Sequence, residues 1–247
     1  YPLWYILIQS FSDGARAAHA LVLPIDFTLE NYRVILERKD IGHALFISVA
    51  RTVSGTTLTV LGCMLLGYLF TKQNMPFRKL MYRMLTVTMY VGGGLIPTYL
   101  LVTNTLGMKN TYWAILLPSL AAPMGMFLMK QFMETNVPDT VLESARLDGS
   151  TEFKTFWVIA MPMVKPAWLT LIVYSFQGLW NSGASIYIQS EQLKSFNYAI
   201  QQIVAGGIRR SGASAASTVI MMLVPILVFV ITQSNIIETM GSSGMKD

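Results

Sequence analysis

Residues 143–149 read Glu143-Ser144-Ala145-Arg146-Leu147-Asp148-Gly149, and after nine intervening residues the chain continues Ile159-Ala160-Met161-Pro162. Apolar runs flank this polar stretch, at residues 112–132 and 166–188. The stretch carries the punctuation of a helix, a turn and a second helix. Pro138 suits a first helical turn, where its missing N–H costs nothing. Asp139 and Glu143 then lie near the positive end of the helix dipole. Val141, Leu142 and Ala145 form one narrow apolar stripe. Gly149 falls where a chain leaving a helix needs left-handed backbone, and Ser150 is placed to cap the helix that follows. In that second helix Phe153, Phe156, Trp157, Ala160 and Met161 recur at the spacing of one amphipathic face, and Pro162 closes it.

The stripe predicts that the second helix packs on its own bundle while the first projects a small-residue, acidic surface. The segment 134–154 holds Glu134, Asp139, Glu143, Asp148 and Glu152 against Arg146 and Lys154, which suits a basic partner groove. A hairpin lying flat on lipid headgroups would not require a glycine and a proline at these spacings.

Outward from this loop the chain is a membrane protein. Hydrophobic residues make up 53% and charged residues 13%, against about 25% charged in soluble domains. A bilayer core of about 30 Å needs roughly 20 apolar helical residues. Six such spans are expected, at residues 1–11 (incomplete, continuing upstream), 42–70, 80–103, 112–132, 166–188 and 213–236. Residues 12–41 form a polar connection with a short helical pattern over Glu30–Leu36, and residues 104–111 a tight turn around Gly107. The net charge of +5 is explained by basic loops facing anionic lipid, without nucleic acid. Cys63 stands alone inside a span, so no disulfide framework exists. His19 and His43 have no companion ligands at metal-binding spacing. No phosphate-binding Gly-x-x-x-x-Gly-Lys-Ser/Thr sequence occurs, and Gly92-Gly93-Gly94 lacks the lysine. If ATP drives this protein, a partner hydrolyses it.

The 143–162 stretch resembles the cytoplasmic "EAA" motif of bacterial ABC-importer permeases: E-A-A, three residues, G, nine residues, I-x-L-P. Glu143, Ala145, Gly149, Ile159 and Pro162 match; Ser144 and Met161 are mild departures. The whole chain is similar to permeases of carbohydrate-uptake, maltose-type importers. Further marks are Ser10-Phe11-Ser12-Asp13, Asn31-Tyr32, Gly93-Gly94-Leu95-Ile96-Pro97, Trp180-Asn181 and Gly241-Ser242-Ser243-Gly244-Met245-Lys246. The resemblance implies an all-α, type I importer permease fold: one multi-pass domain over residues 1–247, in the bacterial cytoplasmic membrane, with residues 133–165 as a coupling loop. The basic run at residues 72–83 favours the same side as cytoplasmic, and the resemblance puts the loop there.

By the same resemblance the first loop helix docks in a groove on an ATPase subunit. Glu143 pairs there with a basic residue, and Ser144, Ala145, Asp148, Gly149, Ile159 and Pro162 complete the coupling element. The implied partners are a second, different permease, two ATPase copies and an external solute-binding protein, within membrane lipid. ATP and Mg belong to the ATPase, and this chain binds no cofactor. Residues 189–212 are implied to reach toward the binding protein and residues 241–247 toward the ATPases.

Within the spans, Ser48, Thr52, Gly55, Thr59 and Gly62 form one small-polar stripe, read as a helix-packing seam. Arg51, near the outer end, is expected to snorkel to the interface. Gly92–Gly94 and Pro97 predict a loosened or kinked third span. Tyr174, Gln177, Gly178, Asn181 and Ser185 share one face of the fifth span, with Phe176, Trp180 and Tyr187 on another. Polar groups at membrane depth must find partners or line a watery cavity. Tyr174, Gln177, Asn181 and Ser185 are therefore candidates for a sugar path, with an interhelical hydrogen-bond network as the other reading. A permease for an amino acid, peptide or ion shares the EAA loop. A secondary transporter would show internal symmetry and buried ionisable groups, whereas intramembrane charge here is nearly confined to Arg51.

Overall fold

The computed structural model describes residues 1–14, 16–37, 39–120, 122–182, 186–205 and 211–243, with backbone alone at 39, 203–204 and 232–243. Among them the regular structure is helical. The helices are α1 (Pro2–Ser10), α2 (Glu30–Leu36), α3 (Lys39–Thr71), α4 (Arg78–Tyr90), α5 (Leu95–Leu100), α6 (Trp113–Leu120) and α7 (Pro123–Asn136). They continue with α8 (Asp139–Leu147), α9 (Glu152–Lys154), α10 (Met161–Met163), α11 (Lys165–Asn181), α12 (Phe196–Val204) and α13 (Ser211–Ser243).

The central strut is α3, 33 residues long, hence about 50 Å at 1.5 Å per residue. It packs on α6, α7, α11 and α12. The small-polar stripe is the seam that permits this. Ser48, Thr52 and Thr59 are buried, and Thr59 donates to the Ser119 carbonyl at 2.9 Å. A Cβ at Gly55 would lie 2.7 Å from Leu179 Cδ1, and one at Gly67 would lie 2.7 Å from Met129 Cβ. One apolar core joins α3, α7, α8, α10 and α11 around Cys63, Met129, Phe156 and Val164. A second, at the opposite end of α3, joins Ile35, Ile41, Phe196, Ile200 and Ala216.

Several expectations are corrected. Arg51 does not snorkel: it is 2% exposed. Its Nη2 donates to the Leu179 and Ser182 carbonyls at 2.8 and 3.0 Å and to Ser182 Oγ at 2.6 Å. It thus serves the carbonyls a helix end leaves free. The expected third span is broken rather than kinked. α4 stops at Tyr90, and helix resumes at Leu95 after Gly94, whose φ of +79° only glycine adopts readily. The expected fourth span corresponds to residues 113–136, with Ala122 drawn out of helical backbone (φ −104°, ψ 79°) ahead of Pro123. Three helical stretches are individually long and apolar enough to cross a bilayer: residues 40–71, 113–136 and 211–231. A fourth span arises only if Glu152–Met163 and Lys165–Asn181 count together, although they meet at 83°. Among the described residues, length and apolarity alone thus give three spans, or four with the bent pair, against the six expected.

The scattered marks of the outer region come together. Asn31, buried on α2, donates from Nδ2 to the Ser10 and Ser12 carbonyls at 3.0 and 2.7 Å. Tyr32 Oη donates to Ser10 Oγ at 2.7 Å. Gly212 opens α13 directly against Asn31, where a Cβ would sit 2.6 Å from its amide. Ser-Phe-Ser and Asn-Tyr are thus one buried fastening between α1, α2 and α13.

Candidate coupling site

The elbow forms as its sequence dictates, with shifts of one residue. Pro138 is the cap, in extended backbone, and α8 starts at Asp139. Leu142 and Ala145 turn into the core at 8% and 6% exposure. Val141 stays on the flank. Gly149 has φ +75°. Its N–H donates to the Arg146 carbonyl at 3.0 Å, and the Ser150 N–H donates to the Ala145 carbonyl at 2.9 Å. This paired closure satisfies carbonyls that α8 would otherwise orphan. Because Ser150 is spent in that closure, the next helix is capped by Thr151, whose Oγ1 accepts from the Lys154 N–H at 3.3 Å. Ser150 Oγ instead accepts from Thr155 Oγ1 at 3.1 Å.

The second helix departs from its predicted face. Residues Thr155–Ala160 adopt a π-helix, whose i→i+5 bonds widen the turn. Phe156, Ala160, Met161 and Val164 are consequently buried, while Phe153 is 70% exposed and Trp157 lies at the surface. Ile159 is half-buried. Pro162 is exposed and belongs to α10, which ends one residue later at Met163. The chain then turns through 83° into α11. Pro166 has no N–H to return to α10, and Trp168 Nε1 donates to the Met161 carbonyl at 3.0 Å across the corner.

On the outward face of α8, Glu143, Ser144 and Asp148 are exposed. Leu147 beside them is 89% exposed, a large apolar side chain that the motif alone does not single out. Two of the five loop acids are paired within the chain. Glu134 pairs with Lys130 at 2.6 Å. Glu152 is paired from two sides although its side chain stays 57% exposed: its Oε2 lies 3.0 Å from Lys72 Nζ and accepts from Tyr68 Oη at 2.9 Å, and its Oε1 accepts from Arg146 Nε at 3.0 Å. Burial raises the Glu152 carboxyl, but Lys72, Tyr68 and Arg146 outweigh it and hold the group below its usual range. The outward charge that remains is Asp139, Glu143 and Asp148. A cavity of about 430 Å³ opens between α8 and the end of α3, bordered by Lys72, Arg78, Asp139 and Glu143.

Among the described residues, the candidate path residues lie on the surface of α11. Tyr174, Gln177 and Asn181 are exposed along one face of α11, and Ser185 lies outside the described residues. The aromatic face turns inward: Phe176 and Trp180 stack at 6.0 Å, and Trp180 Nε1 donates to the Met221 carbonyl at 3.0 Å. Tyr187 stacks on Tyr99 at 6.1 Å. Those three rings pack the fold, leaving Tyr174, 65% exposed, as the open ring of α11. Of the two terminal contacts, α12 occupies part of residues 189–212, and residues 244–247 lie outside the described residues.

A helical membrane bundle carrying an outward-facing helix on a glycine-closed elbow is the architecture of a transporter's membrane subunit. The chain belongs to the family of binding-protein-dependent transport system inner membrane components, whose pattern matches residues 60–241. It is a multi-pass protein of the bacterial inner membrane, and subunits of this family are not catalytic. It is 31% identical to Protein LplC of Bacillus subtilis over 82% of this chain and 69% of that protein. It is 28% identical to the polygalacturonan/rhamnogalacturonan transport system permease protein YtcP of the same organism, over 82% and 72%. Its fold matches a crystal structure of a bacterial ABC transporter involved in the import of the acidic polysaccharide alginate. That match has TM-score 0.83 and 22% identity, and covers 95% of this chain and 89% of that one.

Proposed function

We propose that this chain is one membrane-spanning half of an ATP-driven sugar or oligosaccharide importer, a single permease domain coupled through residues 133–165 to a separate ATPase. The observation that carries this reading is the outward face of α8. Glu143, Ser144, Asp148 and Leu147 are exposed together, whereas Leu142 and Ala145 anchor the opposite face. An exposed apolar side chain beside acids, on a helix tied to the membrane core, suits a groove that is basic at its rim. The sugar assignment rests on relatives named for carbohydrates, YtcP among them, and on Tyr174, Gln177 and Asn181. These present hydroxyl and amide groups on one exposed face, suited to sugar hydroxyls. Facing a second permease, that face supplies one wall of a path.

In this mechanism two ATPase subunits bind Mg-ATP, close, and carry the docked α8 helices with them. The two permeases then rock from inward- to outward-facing, and an external binding protein releases its sugar between them. ATP must bind the closed state more tightly than the open one to drive that shift. The test is Glu143→Lys, which reverses the charge at the centre of the docking face. The variant inserts in the membrane normally, but the ATPase subunit no longer co-purifies with it, or its hydrolysis no longer responds to loaded binding protein. Normal co-purification and normal coupled uptake by Glu143→Lys would contradict the docking assignment.

A further inference from the structure

We propose that Glu152 is the tie that makes α8 and α3 move as one body, a positioning residue for the transport cycle; the inference rests on the reading above that α8 receives the ATPase stroke. The geometry of one carboxylate carries it. One oxygen faces α3, at 3.0 Å from Lys72 Nζ and 2.9 Å from Tyr68 Oη. The other faces α8, at 3.0 Å from Arg146 Nε and 2.9 Å from Arg146 Nη2. Lys72 Nζ also sits 4.2 Å over the Tyr68 ring, which fixes the α3 side of the cluster.

Among the described residues, Arg146–Glu152 is the one side-chain polar bond that leaves α8 for the rest of the chain; Ser144 Oγ bonds within α8, to the Thr140 carbonyl. The remaining anchors are Leu142 and Ala145, held by apolar packing. Such packing resists separation but is non-directional, so it resists sliding weakly. Charge-assisted hydrogen bonds have fixed directions and supply the missing resistance. The α3 end is suited to receive the load. Gly67, one residue from Tyr68, meets Met129 and the Lys130 backbone N with no room for a Cβ. A push at Tyr68 and Lys72 is therefore passed to α7 rather than absorbed. An exposed Arg–Glu pair alone is worth little; the addition of Tyr68 and Lys72, both largely covered, turns this one into a bridge between two helices.

The experiment uses the whole complex in lipid nanodiscs, with spin labels at Val141 of α8 and Val53 of α3 in a Cys63→Ser background. Distances are read by electron–electron double resonance without nucleotide and with Mg-ATP and vanadate. The wild-type pair gives one distance that Mg-ATP does not alter. Without nucleotide, Glu152→Gln coincides with wild type, because Leu142 and Ala145 hold α8 at rest. With Mg-ATP and vanadate it gains a second population, displaced by roughly 2 Å and on the order of a tenth of the total. The double variant Tyr68→Phe/Lys72→Met, which cuts the α3 half of the tie without touching α8, gives the same result. Two outcomes overturn the inference: Glu152→Gln matching wild type with nucleotide, or a broadening equally present without nucleotide, which would make Glu152 a fold residue only. If no ATPase co-purifies with the wild-type chain, the functional reading fails instead.

Discussion

Replacing Gly149 with alanine tests the elbow at its least tolerant backbone position. Gly149 has φ +75°, and a Cβ there would meet nothing within 4 Å. The cost is therefore purely conformational. A non-glycine residue in left-handed backbone loses about 1–2 kcal/mol, and the stiffer opened chain returns about 0.4–1 kcal/mol. The difference, about 1 kcal/mol, corresponds to roughly a fivefold rise in local opening. The bonds that report it are Gly149 N–H to Arg146 O and Ser150 N–H to Ala145 O. Amide hydrogen exchange of the purified protein should show these two amides about fivefold faster in Gly149→Ala, with α3 unchanged. Gly149→Asn should fall between the two, since asparagine visits this backbone region more readily than alanine. Equal exchange in wild type and Gly149→Ala would refute the requirement for left-handed backbone at the elbow.

The seam gives a second contrast. Gly67→Ala forces a Cβ to 2.7 Å from Met129 Cβ and should destabilise by about 1–3 kcal/mol, whereas Gly178→Ala, with open space, should stay within about 0.5 kcal/mol of wild type. Thermal unfolding in detergent separates them. Asn31→Asp replaces a donor to two carbonyls with an acceptor and should cost about 1–3 kcal/mol, read the same way. The Glu152 tie is pH-dependent with a defined sign. Its carboxyl is lowered in the fold, so the tie is intact above the ordinary carboxylate range and lost as pH falls through the lowered value. With Mg-ATP and vanadate bound, spin-label mobility on α8 should rise on acidification in wild type, and Glu152→Gln should remove that dependence.

What was legible in the sequence was whatever local chemistry alone decides. Gly149 and Gly107 both adopt the positive φ that their positions demanded. Helix α2 occupies the predicted Glu30–Leu36. The Ser48–Gly62 stripe is a packing seam because small side chains admit close helices regardless of what those helices are. The misses share a different origin, tertiary structure. The π-helix at Thr155–Ala160 has no compositional mark, so a 3.6-residue period misassigned Phe153 and Trp157 to the core. Arg51 reads as a snorkelling side chain until α11 ends beside it and offers unserved carbonyls. Glu152 reads as one more surface acid until the fold brings Lys72, eighty residues upstream, to within 3.0 Å. The polar face of α11 was legible as a face, but its Phe176, Trp180 and Tyr187 counterparts proved to be packing residues.

The claim on which the account turns is that α8 contacts another polypeptide. It is tested most directly by photo-crosslinking from Leu147, the most exposed apolar side chain of the elbow. A photoreactive amino acid at this position, in membranes of the cells that make the protein, should yield an adduct with an ATPase subunit, lost on Glu143→Lys. Adducts with lipid alone, in membranes where the complex is assembled, would contradict it.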